Sequence, residues 1–149
     1  KLADVVRQAT ELGVVAVQPF ISKHCDVKEL SVSRLERLRR VAQEASKQSG
    51  RSIVPEVRDA VKLKEMLIPP LSIIAHPYAS LSLSNVLPFD KGGRGDLAII
   101  TGPEGGFAQE EIDLLISKGA VSVCLGNRIL RAETAPVALI AALLLPDAL

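Results

Sequence analysis

Apolar positions recur at helical spacing at both ends of the chain and break into short runs between. Over residues 2–12, Leu2, Val5, Val6, Ala9 and Leu12 fall on one helical face, and Gly13 stands where such a helix would stop. The run VVAVQPF that follows predicts a short buried strand. From Val32 to Ser49, the stripe Leu35, Leu38, Val41, Ala42 and Ala45 predicts a longer helix, with Arg34, Arg37, Arg40 and Lys47 toward solvent and Gly50 at its end. RSIVPEV predicts a short extended piece. Asp59 is placed to cap a helix through Leu67, which Pro69 and Pro70 break before the strand LSIIA. A Ser-rich loop then runs to about Asp96, with DKGGRGD as a turn inside the domain.

The last third is more regular. It predicts a strand at 97–101, a helix at 109–118 with Ile112, Leu115 and Ile116 inward, a strand at 121–125, a loop and a helix at 134–145. Strands alternating with helices give an α/β fold with a mostly parallel sheet flanked by helices. No repeat, low-complexity tract or linker divides residues 1–149, so one domain is expected. The last helix contains VALIAALLL, apolar on nearly every face. Burial on several sides is hard to arrange within one small domain, and a homodimer contact is the simpler expectation.

Composition changes this picture in a few places. A net charge of +1 provides no global field for nucleic acid, so a polyanion site must be local. Arg34, Arg37, Arg39, Arg40, Lys47, Arg51 and Arg58 outnumber Glu36, Glu44 and Glu56 over one segment. Local attraction to a polyanion is expected there, against the alternative of a solvated helix face. The apolar stretch Ala135–Pro146 is too short to span a bilayer, and no signal-peptide pattern opens the chain, so a soluble protein is expected. The chain begins already in a helical pattern, which predicts further sequence upstream. Cys25 and Cys124 have no metal-ligand spacing around them; two reduced thiols and no metal site are expected, with a disulfide as the alternative.

In parallel sheets, ligands bind beyond the carboxyl ends of the strands, where backbone amides are free to point at them. Three loops qualify: AHPYAS (75–80), TGPEGGF (101–107) and LGNRILRAETAP (125–136). TGPEGGF lacks the lysine of a phosphate-binding loop, and GRGDLA precedes its strand, which disfavours nucleotide triphosphates and dinucleotides. Gly102, Gly105 and Gly106 would allow close backbone approach or positive φ; a tight strand-to-helix turn explains them equally. The third loop holds Arg128, Arg131 and Glu133, then Thr134 as candidate N-cap and Pro136 near the first helical position.

GPEGGF followed by LGNRILRAETAP, with ELGVVAVQPFISKHC and EASKQSGRSIVPEV upstream, resembles the ribosomal small subunit methyltransferase E family, uracil-N3 methyltransferases of 16S ribosomal RNA. The resemblance covers nearly the whole chain. It implies a SPOUT-type fold whose C-terminal part is a trefoil knot, an exception to the rule that chains do not thread their own loops. It implies S-adenosylmethionine as cofactor, held by Ala75, His76, Thr101, Gly102, Gly105, Gly106, Leu125, Gly126, Asn127, Ile129, Leu130 and Thr134, mostly through backbone groups. Gln48, Arg51 and Arg128 would face the RNA. Arg131 would stabilise the uracil anion or position a phosphate, with Glu133 orienting it; Glu104 is either a proton acceptor or the cap of its own turn.

The resemblance further implies ribosomal RNA of the small subunit as partner, pairing of two copies through the last helix, and an N-terminal PUA-like domain that this chain lacks. The compartment would be the bacterial cytoplasm, or a chloroplast or mitochondrion in a eukaryote. Two departures stand out. Ser22, Lys23 and His24 replace the family's Ser-Glu-Arg, and Ala108 replaces a serine N-cap worth about 1 kcal/mol, leaving Glu111 as half a capping box. The rival readings are a SPOUT enzyme acting on another RNA or base, and an RNA-binding relative without catalysis.

Overall fold

A computed structural model of the protein describes residues 1–86 and 97–145; the expected turn at DKGGRGD lies outside them. Helix α1 (Leu2–Glu11) ends at Gly13, whose φ of 104° only glycine adopts without strain. Helix α2 (Val32–Gln48) starts at Ser31, whose hydroxyl accepts from the Arg34 amide at 3.4 Å. Leu38 and Ala42 bury the predicted stripe against Val6 of α1 and Val57.

VVAVQPF is not one buried strand. It forms β1 (Ala16–Val17) and β2 (Phe20–Ile21), both half-buried and separated by Gln18 and Pro19. Proline has no amide hydrogen for a continuous ladder. Its carbonyl instead accepts from the Val61 amide at 3.2 Å. Strand β1 pairs in parallel with β3 (Glu56–Val57), and β2 with β4 (Val61–Lys62).

The helix expected after Asp59 is absent. Val61 and Lys62 are taken up by β4, leaving a single 3-10 turn at Leu63–Glu65 that drops Leu63 and Met66 into the core. Asp59 instead accepts from Arg39 at 2.8 Å. The segment is too short to nucleate a helix against that competing pairing.

The main sheet has the order β6-β5-β7, all parallel: β6 (Leu97–Thr101), β5 (Leu71–Ala75) and β7 (Val121–Val123). Successive side chains of a strand face opposite ways. Ile73 accordingly packs with Leu139 of α4 (Thr134–Leu144), and Ile74 with Ile112 and Leu115 of α3 (Gln109–Ser117). Helices therefore cover both faces of a parallel sheet, the expected α/β class. Ile116, expected inward, is 48% exposed, because it lies beyond the edge of the face that Ile112 and Leu115 bury. Among the described residues no helix is long and apolar enough to cross a membrane.

Candidate functional site

The register of the main sheet sets Thr101, Ala75 and Val123 side by side. Since all three strands run the same way, the loops leaving them emerge along one edge. Two of these loops are stitched together. The His76 amide donates to Val123 O at 3.0 Å, Cys124 donates to Leu81 O at 2.8 Å, and Leu83 donates to Cys124 O at 3.2 Å. His76 is half-buried and meets Tyr78 edge-on, with ring centroids 5.8 Å apart. Leu125 and Leu130 are half-buried, whereas Gly126, Asn127, Arg128 and Ile129 reach solvent. Gly126 has a φ of 85°, with open space where a side chain would begin.

The glycine loop between β6 and α3 is built differently at each glycine. A Cβ on Gly102 would lie 3.1 Å from the ring of Phe107, which stacks on Phe20 at 6.1 Å between centroids. A Cβ on Gly105 would lie 2.8 Å from Cβ of His24, a distance real Cβ atoms do not tolerate. These two glycines are needed by the protein's own packing, as the tight-turn alternative to close approach of a ligand requires. Gly106 alone has a left-handed φ, 71°, with nothing near its missing side chain; its amide closes the turn onto Pro103 O at 2.9 Å.

Glu104 lies on the outer side of this loop and is exposed, 3.3 Å from the Lys1 ammonium. Its own backbone amide, and then Lys1, hold its carboxyl below the ordinary 4.5. A carboxylate stabilised in this way is a poorer proton acceptor, which favours the turn-capping alternative. Ala108 sits at the N-cap of α3 without a capping side chain, and Glu111 reaches back to its amide at 3.0 Å, the expected half of a capping box.

In the third loop, the Arg131 carbonyl accepts from the amides of Thr134 and Ala135 at 2.9 and 3.0 Å. The N-cap of α4 is Glu133, and Thr134, the candidate cap, is its first helical residue, so the helix starts where expected and the cap lies one residue earlier. The Arg131 side chain is 82% exposed, with Nη1 3.9 Å from Glu133 Oε1. Glu133 Oε2 is buried and has no hydrogen-bond partner among the described residues. Glu133 also borders a cleft of about 1350 Å³ that runs beside β6, with Thr101, Gly102 and Glu104 on its rim. Ala75, His76, Leu125, Gly126, Ile129 and Leu130 do not line that cleft; Ala75 ends β5, and Leu125 and Gly126 closely follow β7.

Arg51 has a packing task beside the RNA contact expected of it. Its Nη1 donates to Thr10 O and Val14 O, both at 2.8 Å, and thereby ties down the end of α1. Gln48 is exposed on α2, as are Arg34, Arg37 and Arg40. Sequence reasoning missed the contact of Lys23 and His24 with the glycine loop. The Lys23 amide donates to Glu111 Oε1 at 2.8 Å, its ammonium pairs with Glu110, and His24 Nδ1 is 3.2 Å from Gly106 O. The pairing raises Lys23 above its ordinary 10.5 and lowers Glu110 below 4.5. Those partners stand more than eighty positions away, beyond any local signal.

The model of the RNA methyltransferase domain matches residues 1–144. The ribosomal RNA small subunit methyltransferase E of Rickettsia conorii is 34% identical over 95% of this chain and 58% of its own length. That of Aquifex aeolicus is 37% identical over 94% and 61%. The chain thus spans about six tenths of these curated relatives. Among solved structures, the Neisseria gonorrhoeae ribosomal RNA small subunit methyltransferase E bound to S-adenosyl methionine aligns with a TM-score of 0.82, at 34% identity, over 94% of this chain and 60% of that one. A Legionella pneumophila protein solved in complex with the bound cofactor SAM aligns at 0.83 and 32% identity, over 95% and 59%. Matched along nearly its whole length, the chain belongs to the RNA methyltransferase domain family and is similar throughout to ribosomal RNA small subunit methyltransferases E.

Proposed function

We propose that this chain is the methyltransferase domain of an enzyme that transfers a methyl group from S-adenosylmethionine to N3 of uracil in small-subunit ribosomal RNA. The observation that carries the reading is the register of Thr101, Ala75 and Val123, which brings the three motif-bearing loops to one edge of a fold shared with relatives solved with that cofactor. The residues there fit the cofactor. Gly106 and Gly126 leave open space on their outer sides, and the loops offer backbone groups and apolar side chains without a phosphate-binding lysine. Ala75, His76, Thr101, Gly102, Gly105, Gly106, Leu125, Gly126, Asn127, Ile129, Leu130 and Thr134 are the proposed cofactor residues. Gly102 and Gly105 contribute by setting the shape of the loop.

When bound, the cofactor supplies an electrophilic methyl on a positively charged sulfur. The protein's work is then orientation of the base and stabilisation of the charge left when N3 loses its proton. Arg131 is an exposed cation of the third loop, proposed to face such an anion or a neighbouring phosphate, with Glu133 3.9 Å away to limit its directions. Arg128 and Gln48 are the proposed RNA contacts, joined by the exposed arginines of α2. Glu104 is assigned to the turn.

The family resemblance supports three further parts of the proposal. The C-terminal part is threaded as a trefoil knot. Two copies pair through α4, whose end leaves Leu144 and Leu145 40% and 39% exposed. An RNA-binding domain of the PUA-like kind accounts for part of the additional length of the relatives. The test is methylation of assembled small subunits, with transfer RNA as control, alongside calorimetric titration with S-adenosylmethionine. Arg131→Ala is expected to abolish methylation while cofactor affinity stays near that of the parent. Undiminished turnover in that variant removes Arg131 from the mechanism, and failure of the parent chain to bind the cofactor removes the proposal itself.

A further inference from the structure

The segment after β2, Ser22–Cys25, carries no role in the proposed reaction, yet it is seated directly on the glycine loop. One carboxylate joins the two. Glu111 Oε1 accepts from the Lys23 amide at 2.8 Å and its Oε2 from the Ala108 amide at 3.0 Å. His24 Nδ1 meets Gly106 O at 3.2 Å, and the His24 Cβ occupies the space that a Cβ on Gly105 would need. Phe107, between these contacts, stacks on Phe20 just upstream of the same segment. The exposed Lys23–Glu110 pair adds little by itself, since solvent screens it.

A loop with adjacent glycines has much backbone freedom to lose when a ligand binds, and an external restraint that removes this freedom beforehand strengthens binding. We propose that Glu111 is a positioning residue of the proposed donor site, holding Ser22–Cys25 against Gly102–Phe107 so that His24 seats Gly105 and the loop is fixed in the shape that receives S-adenosylmethionine. The inference rests on the donor-site reading above and adds the element that organises it. Glu111→Gln keeps the side-chain volume but turns one accepting oxygen into an NH2 group facing an N–H. Gly105→Ala pushes the loop off His24, and His24→Gly in the same chain removes the obstructing Cβ.

The experiment is calorimetric titration of the chain with S-adenosylmethionine, with thermal melting of each variant alongside. Glu111→Gln and Gly105→Ala are each expected to weaken binding by about tenfold, and the double variant Gly105→Ala/His24→Gly to recover part of that loss, since the His24 carbonyl oxygen still lies 3.2 Å from the added methyl and the contact with Gly106 O is gone. Recovery is the outcome that general loosening of the fold would not produce. Parent-like affinity in Glu111→Gln, or no recovery in the double variant, overturns the proposal while leaving the donor site in place. A parent chain that binds no S-adenosylmethionine overturns both. Should Gly105→Ala fail to fold, Glu111→Gln decides alone, with parent-like affinity as the refuting result.

Discussion

Replacing Arg51 by alanine separates a structural task from an RNA-binding one. The guanidinium donates two bonds of 2.8 Å to Thr10 O and Val14 O; a third approach, to Gly13 O at 3.5 Å, is at the limit of a hydrogen bond and counts for nothing here. Hydrogen bonds from a charged donor contribute roughly 1.5–3 kcal/mol each, and a cation at a helix C-terminus adds about 0.3–1 kcal/mol. Arg51 is half-buried, so water replaces part of what is lost. A net destabilisation of about 2 kcal/mol follows once that replacement is discounted from the two bonds. For a domain of this size about 1 kcal/mol moves Tm by roughly 2–4 °C, so Arg51→Ala should melt about 4–8 °C lower. Arg51→Lys should recover less than half, because both bonds come from the outer nitrogen Nη1, which the shorter lysine stem falls short of. Circular-dichroism melting of both variants, with exposed Arg40→Ala as control, is the assay. The reasoning is refuted if Tm moves by less than about 1 °C while the salt slope of RNA binding falls by about one, the signature of a lost phosphate contact.

Three shorter predictions follow from single positions. Leu139→Ala, at a fully buried side chain between Ile73 and Val123, should lower unfolding free energy by about 2–5 kcal/mol in urea titration, and a loss below about 1 kcal/mol would mean that α4 does not pack there. Gly106→Ala should cost about 1–2 kcal/mol from left-handed backbone strain alone, since no atom meets the added methyl. For Glu104 the folded pKa is depressed, so its ionisation stabilises the fold above the ordinary 4.5 and that contribution disappears as pH falls through the lowered value. Parent and Glu104→Gln should therefore melt together in strong acid and separate slightly near neutrality, and methyl transfer by Glu104→Gln should persist; loss of transfer with donor affinity intact would restore Glu104 as proton acceptor.

What the sequence made legible was whatever is decided within a few residues. The stripes of α1 and α2, their glycine stops, the strands LSIIA and LAIIT and the parallel α/β class all rest on local periodicity, and all are present. Failures came where a distant partner overruled a local preference. Pro19 splits VVAVQPF because two different strands claim its halves, and the segment after Asp59 extends because β2 lies beside it. Arg51 shows how a distant partner adds a task that the local sequence hides. A cation at the end of a basic helix suits RNA phosphates, and nothing local distinguishes that role from the bond to Thr10, forty-one positions earlier.

The glycine loop carries this argument furthest. Its three glycines are indistinguishable by composition, and the ordinary inference from a strand–glycine–helix pattern is that a ligand needs the room. Measured against their neighbours they separate: Phe107 fills the space at Gly102, His24 fills it at Gly105, and only Gly106 faces open space. A glycine that admits a ligand and one that admits a neighbouring side chain leave the same mark in a sequence but respond oppositely to a second change. A methyl on Gly105 is relieved in large part by trimming the His24 Cβ at 2.8 Å, leaving the His24 carbonyl oxygen at 3.2 Å, whereas one on Gly106 has no neighbour to trim and keeps its backbone strain in every background. Compensation by a distant residue is therefore the measurement that assigns each glycine of such a loop to packing or to binding.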